Sequence, residues 1–247
     1  MLGLGNTLSG GIVPAAAATA FSNTYSIDFD GTNDYMISDS NVVFTDTSSY
    51  AFWMKTSTRA QMVTLYARAD FYFYATVSGS DVVPFVAHPA VGSITSSEKL
   101  DDDAWHFIAV TTAGSADSGV SSTVTLYVDG SSVATSTVTG TYTPVTAKWD
   151  IGHYGSGPCC RYTGNLDEIA IWGVALDAAA ITQLYNSGEP IDLSSDSGNY
   201  DNSGDLVHWW RMGDGDTFTT ITDNKGSNDM EMTNMASGDI EEDVPSA

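Results

Sequence analysis

Residues 164–188, GNLDEIAIWGVALDAAAITQLYNSG, contain a strand, a turn and a helix with both of its ends marked. Leu166, Ile169, Ile171 and Trp172 are apolar β-formers interrupted by Asp167 and Glu168, so the segment reads as a buried strand with its charge near one end. Past Gly173 the period changes. Leu176, Ile181, Leu184 and Tyr185 recur at near-helical spacing, Asp177 is placed to cap the first free amides, and Gly188 followed by Pro190 supplies the stop. One helix of about two to three turns is predicted in a chain that otherwise reads as strands.

Upstream, Tyr25, Ile27 and Phe29 alternate with Ser26 and Asp28, and the turn formers Asp30-Gly31 and Asn33-Asp34 follow. Further strands are expected at Ser49 to Lys55 and within LYARADFYFYATV. Across Phe71 to Val77 aromatic rings occupy successive positions, so both faces of that ribbon are expected to be covered; core packing is the first reading of these rings and sugar stacking the second. Asp129-Gly130 makes a two-residue turn of a hairpin spanning Val124 to Val133. His106 reads as a structural histidine bonded to a neighbouring strand, because no second histidine lies at ligand spacing.

The 247 residues suffice for one β-sandwich core. Lys and Arg total 8 against 31 acids, a formal net charge of −23, and most of those acids are Asp, a residue of turns and loops. Such a surface repels phosphate backbones and anionic lipid, so neither nucleic acid nor membrane is an expected partner, and no apolar run is long enough to span a bilayer. Solubility is the first reading of the acidity, and an environment of salt and divalent cations the second. Residues 1–24, poor in large apolar groups, are expected to form an irregular arm whose Leu2, Leu4, Leu8, Ile12 and Val13 contact a neighbouring subunit, with a secreted precursor as the alternative. Residues 25–235 form the domain, and the acidic tail 236–247 is expected to be loose. Cys159 and Cys160 are adjacent; their Cα separation of ~3.8 Å across a trans peptide is below the usual disulfide range, which puts two thiols ahead of a bridge.

No catalytic set is visible. Glycan hydrolysis needs two carboxylates flanking one bond, whereas Asp167 and Glu168 are neighbours and in a regular strand point to opposite faces. No nucleophile triad or phosphate loop has its spacing, and the EF-hand-like run from Asn199 fails at Trp210, where a carboxylate is required. The chain is expected not to be an enzyme.

FDGTNDYM at 29–36, WHFIAVT at 105–111, LYVDG at 126–130 and GNLDE at 164–168 with its short helix ending in LY resemble the motifs of laminin G-like domains of the concanavalin A-like jelly-roll superfamily. That resemblance implies an all-β fold, a jelly-roll sandwich of two antiparallel sheets. Residues 205–235, DLVHWWRMGDGDTFTTITDNKGSNDMEMTNM, are similar to the family's opening segment, which normally precedes the F-D-G strand. Here they come last. A circularly permuted strand order is therefore expected, with the Leu206 to Met212 strand pairing near the start of the domain.

The resemblance further implies a structural calcium site at Asp30, Asp34 and Asp167, for which turn formation and capping are the even alternative. Tyr154, Arg161 and Tyr162, in or beside the loop before GNLDE, are the ligand-facing candidates, joined by the aromatic ribbon if the ligand is a glycan. The whole-chain pattern, from MLGLGNTLSGG to the terminal segment, resembles laminin G-like proteins of marine tailed phages. It implies a virion structural protein, as capsid decoration or fibre-associated module, contacting other virion proteins through its arm and forming a homo-oligomer. The alternatives are a calcium-dependent lectin for host-surface glycan, and an extracellular, bacterial secreted adhesion module or divergent glycosidase.

Overall fold

The computed structural model of the chain describes residues 21–67, 71–88, 92–114, 121–139, 145–155 and 160–247. Most of the expected arm, and Cys159 with the question of its pairing, lie outside the described residues. The first half of the chain forms β1 (Ser26–Asp30), β2 (Tyr35–Ser38), β3 (Val42–Phe44), β4 (Ser48–Lys55), β5 (Met62–Ala67), β6 (Phe71–Ser78), β7 (Asp81–His88), β8 (Gly92–Thr95) and β9 (Trp105–Ala113). There follow β10 (Ser121–Val128), β11 (Ser131–Thr139), β12 (Val145–Ala147), β13 (Trp149–Ile151), β14 (Thr163–Trp172) and the helix α1 (Ala178–Tyr185). The C-terminal part supplies β15 (Leu206–Trp210), β16 (Thr220–Ile221), β17 (Met230–Thr233) and β18 (Ile240–Glu241).

Sixteen of these strands make two facing antiparallel sheets, and β3 and β12 pair separately as a two-stranded ribbon. The first has the order β11-β10-β9-β4-β14-β1-β18, with β15 also on β14; the second runs β16-β17-β2-β13-β5-β6-β7-β8. Alternation sends Phe52, Leu166, Ile169 and Trp210 of the first sheet and Phe73 and Trp149 of the second into one core. A second apolar cluster lies on the outer face of the first sheet, where Trp53, Phe107 and Trp172 are covered by Ile181 and Leu184 of α1 and by Tyr200. The sandwich is thus the one expected, with one short helix packed outside it.

Local signals in the sequence act as read. The side chain of Asp177 accepts a hydrogen bond from Ala180 N at 2.8 Å and caps α1. The helix ends at Asn186, in the left-handed region (φ 44°), two residues before Gly188, because asparagine tolerates that conformation. Asp129 and Gly130 both have positive φ, as a two-residue hairpin turn requires, and Asp129 Oδ2 lies 2.9 Å from His106 Nδ1.

The C-terminal segment differs in detail from expectation. β15 pairs with β14, not with strands near the start of the domain; β17 and β18 make those pairings, with β2 and β1 respectively. Trp209 and Trp210 explain the placement, since one joins the helix-side cluster and the other the central core, and only a strand buried on both faces accommodates both. Residues 205–235 therefore contribute strands to both sheets. The tail is not loose either. Ile240 and Glu241 form β18, and Asp243 accepts from Lys55 Nζ at 2.8 Å and from Trp105 Nε1 at 3.0 Å. Replacing Asp243 by Ala should lower stability by about 1 kcal/mol, the pair being partly exposed, and the melting temperature by ~2–4 °C. A thermal melt of the variant that overlays wild type would show that these contacts carry no weight.

Candidate functional site

The two acids of the GNLDE stretch come from one irregularity. Asp167 lies opposite Trp53 and Ala170 opposite Ala51, so Glu168 and Ile169 together face Phe52; Glu168 is the bulged residue, with φ 48°. The alternation expected of a regular strand fails here, and both carboxylates emerge on the outer face of the first sheet. β1 ends its pairing with β14 at Leu166 and β15 begins at Ile169, so these two strands abut end to end along one edge of β14, with the bulge at the joint.

The joint is sealed by residues 21–25 and by Arg211. Asn23 Nδ2 donates to Asp167 Oδ2 at 2.7 Å, and the amides of Thr24 and Tyr25 donate to Asp214 Oδ2 at 2.8 and 3.3 Å. Arg211 lies 3.3 Å from Glu168 Oε1 and 3.5 Å from Asp214 Oδ2, and also donates to the Ser22 carbonyl. Trp209 Nε1 donates to the other Glu168 oxygen. Burial, opposed by Arg211, pushes Glu168 up to about 7; burial and the Glu168 charge push Asp167 well above the usual carboxylate range. Neither carboxylate reaches solvent, so the pair acts as a clasp inside the fold. An open groove of about 600 Å³ adjoins it, but the Trp209 ring there is already stacked on Phe21 at 6.2 Å, and Arg211 lies over both rings.

The proposed calcium ligands do not come together. Asp34 Oδ2 accepts from Asp30 N at 3.0 Å, and Asp30 Oδ1 accepts from Thr32 N and Asn33 N at 2.6 and 3.2 Å, which is turn formation. Asp30 pairs with Thr163, so Asp167 lies roughly 13 Å further along β14, with its oxygens on Asn23 and on the Glu168 amide. Among the described residues no three acid, histidine or cysteine side chains converge as a metal site. The trio does not fit calcium.

The loop candidates divide. Tyr162 is a core residue: it meets Phe29 edge-on at 5.8 Å, and its hydroxyl lies 3.0 and 3.1 Å from the carbonyls of Lys55 and Asn165, so it cannot face a ligand. Arg161 extends over the Tyr35 ring at 5.7 Å, and Tyr35 meets His153 at 4.3 Å. Tyr154 is 36% exposed and joins the ribbon, 6.3 Å from both Tyr72 and Tyr74. Gly152 makes this possible. Its φ of 81° turns the chain after β13, and a Cβ there would strike the Phe29 ring at 2.7 Å.

Strand alternation explains the ribbon. Phe73 and Ala75 point into the core, which leaves Tyr72 and Tyr74 on the outer face of the second sheet, half-buried and 4.7 Å apart. Phe85, opposite Tyr74, extends the cluster at 6.1 Å. From Tyr35 on β2, past His153 and Tyr154 after β13, to Tyr72 and Tyr74 on β6 and Phe85 on β7, the rings cross five strands, about 19 Å. Sequence reading missed Phe85, whose place depends on the β6–β7 register.

A sequence profile described as the concanavalin A-like lectin/glucanases superfamily matches residues 30–182. The chain belongs to that superfamily. Among solved structures, this chain is similar to a putative carbohydrate binding protein from Bacteroides ovatus (TM-score 0.66, 17% identity), over 92% of this chain and 62% of the Bacteroides chain, somewhat under two thirds of its length. It is also similar to a heptameric SAP-like pentraxin from Limulus polyphemus (TM-score 0.58, 15% identity), over 87% of this chain and 98% of the pentraxin. At such identities the likeness establishes the fold alone. No curated protein sequence matches the chain.

The buried clasp has a pH signature. Because the Glu168 carboxyl is raised from 4.5 to about 7 in the folded protein, its contribution to stability is complete below its unfolded value and is lost as pH rises through that window. Glu168→Gln removes that part of the dependence. Its melting temperature, relative to wild type, should rise between pH 5 and pH 8; a difference that stays constant with pH contradicts the assignment.

Proposed function

We propose that the protein is a non-catalytic saccharide-recognition module that binds through the outer face of its second sheet. The observation that carries this reading is the cluster of half-exposed rings, Tyr72, Tyr74, Phe85 and Tyr154, spaced 4.7–6.3 Å apart on neighbouring strands. Sugar rings present C–H faces that pack on aromatic faces. Arg161 places its guanidinium over the Tyr35 ring at 5.7 Å, on the same sheet face. A net charge of −23 disfavours strongly anionic glycans and leaves neutral ones as the substrate class. A non-catalytic reading is supported by the burial of the Asp167–Glu168 pair, whose oxygens are taken up by Asn23, Trp209, Arg211 and the Glu168 amide.

The setting we propose is the surface of a tailed-phage virion, as capsid decoration or fibre-associated protein. Its support is the sequence resemblance from the opening segment to the terminal one, and the binding face suits attachment to host glycan. Immunogold labelling of particles from the source virus should mark heads or tail fibres; unlabelled particles would reject the virion setting and leave the module reading standing.

For the binding itself, calorimetry against a panel of neutral oligosaccharides should detect a ligand. Tyr74→Ala and Tyr154→Ala should each weaken it by about 1 kcal/mol, roughly fivefold, while Tyr162→Phe leaves affinity unchanged. No heat with any saccharide from correctly folded protein would sink the proposal.

A further inference from the structure

Among the described residues the edge strands of the two large sheets are not alike. β18 and β16 have two residues each and β8 has four, while β15, five residues long, is met on its free side by Asp223 and Asn224, through the Trp210–Asp223 bridge and the Asn224 amide on the Trp209 carbonyl. Short or covered edges are among the ways proteins prevent unwanted strand pairing. The remaining edge is β11, nine residues long, with the sequence SSVATSTVT and neither proline nor lysine. No charged residue or histidine occurs between Asp129 and Lys148, in a chain that elsewhere carries an acid about every eight residues. Among the described residues no strand pairs with the outer side of β11. The irregularity in its pairing with β10 lies at the turn end, opposite Leu126 and Tyr127, which leaves Ala134 to Thr139 regular.

A second observation concerns Val138. It pairs with Ser122, which is 2% exposed, on the face that also carries the buried Val124 and Leu126, so it is on the core side of the sheet; yet it is 40% exposed. At this corner the first sheet extends beyond its cover. On the opposite face the hydroxyls of Thr123 and Thr137, and of Thr125 and Thr135, are bonded across β10 and β11 at 2.9 and 3.3 Å, which holds the edge flat and ordered up to its open side.

We infer that β11 is an interface with a second copy of this chain, paired antiparallel about a two-fold axis through Ser136, so that the first sheet runs on through both copies. The register follows from chemistry. With the axis at Ser136, Val138 of one copy covers Ala134 of the other on the core face, and Thr135 meets Thr137 on the outer face, repeating the threonine rungs already present between β10 and β11. Charge selects the same place. Two copies with a net charge of −23 each repel over most of their surfaces, and the uncharged edge is where they approach at least cost. This inference rests on the edge alone and is independent of the saccharide reading.

Sedimentation velocity of the full chain at roughly 100 µM should show a monomer–dimer equilibrium that shifts toward dimer at 0.5 M salt, where repulsion is screened. The double variant Thr135→Asp/Thr137→Asp sets carboxylates against carboxylates and should be monomeric, with a melting temperature close to wild type. Thr135→Lys/Thr137→Asp makes the same positions complementary in this register alone and should restore the dimer. In a background of Cys159→Ser/Cys160→Ser, Ser136→Cys should oxidise to a covalent dimer, because directly opposed Cα atoms are ~4.5–5.5 Å apart, whereas Thr125→Cys, one strand inward, should not. A wild-type chain that stays monomeric at both salt concentrations overturns the inference. So does a dimer that the double Asp variant leaves intact, or one that cross-links equally at both positions.

Discussion

Strand β14 holds the first sheet together through the bulge at Glu168. Along one edge it pairs with β4; along the other it must serve two strands, β1 and β15, that arrive from opposite ends of the chain and meet end to end. A regular strand would leave the joint with mismatched backbone groups and would send Asp167 and Glu168 to opposite faces, one of them into the central core, where an unpaired carboxylate costs several kcal/mol. The bulge at Glu168 turns both acids outward. Arg211, Trp209 and Asn23 then supply the donors that make their burial tolerable, and in doing so they fix the segment just before β1 against the segment just after β15.

The second sheet depends on that arrangement. With β1 and β15 secured, the core beneath them is filled from both sides, and Trp210 meets Trp149 across it at 6.2 Å. Trp149 begins β13, the strand whose end delivers His153 and Tyr154 to the outer face, while Tyr162 and Phe29 fill the core beneath the turn. The ring cluster is thus held by residues that are themselves immobile, and a preorganised surface of that kind loses little entropy when a ligand packs on it. The clasp and the ring cluster lie on opposite outer faces of the sandwich.

Much of this was legible in the residues. The helix cap at Asp177, the Asp129-Gly130 turn and the alternation of β1 and β10 are local signals, and local signals survive folding. What the sequence hid was long-range. Glu168 carries no mark of a bulge, because the bulge is demanded by the strand partners and not by the neighbours in the chain. Tyr162 looked like a loop residue beside Arg161 but belongs to the core, since the chain enters β14 immediately after it. Asp30 and Asp34 take the turn-forming role that stood as the even alternative, and only the resemblance groups them with Asp167 as calcium ligands. Successive aromatics at 71–77 defeated the usual period-2 reading, and only the burial of Phe73 and Ala75 reveals which rings remain outside.

The central claim is that the tyrosine face of the second sheet is a saccharide-binding surface. The most direct test is a solution NMR titration of protein labelled with 13C at its tyrosine rings, with neutral oligosaccharides as ligands. The account predicts ring shifts at Tyr72, Tyr74 and Tyr154, with the buried Tyr50, Tyr162 and Tyr200 unmoved as internal references. Saturating binding that leaves those three rings unshifted, or shifts confined to the helix side of the molecule near Tyr185, would contradict it.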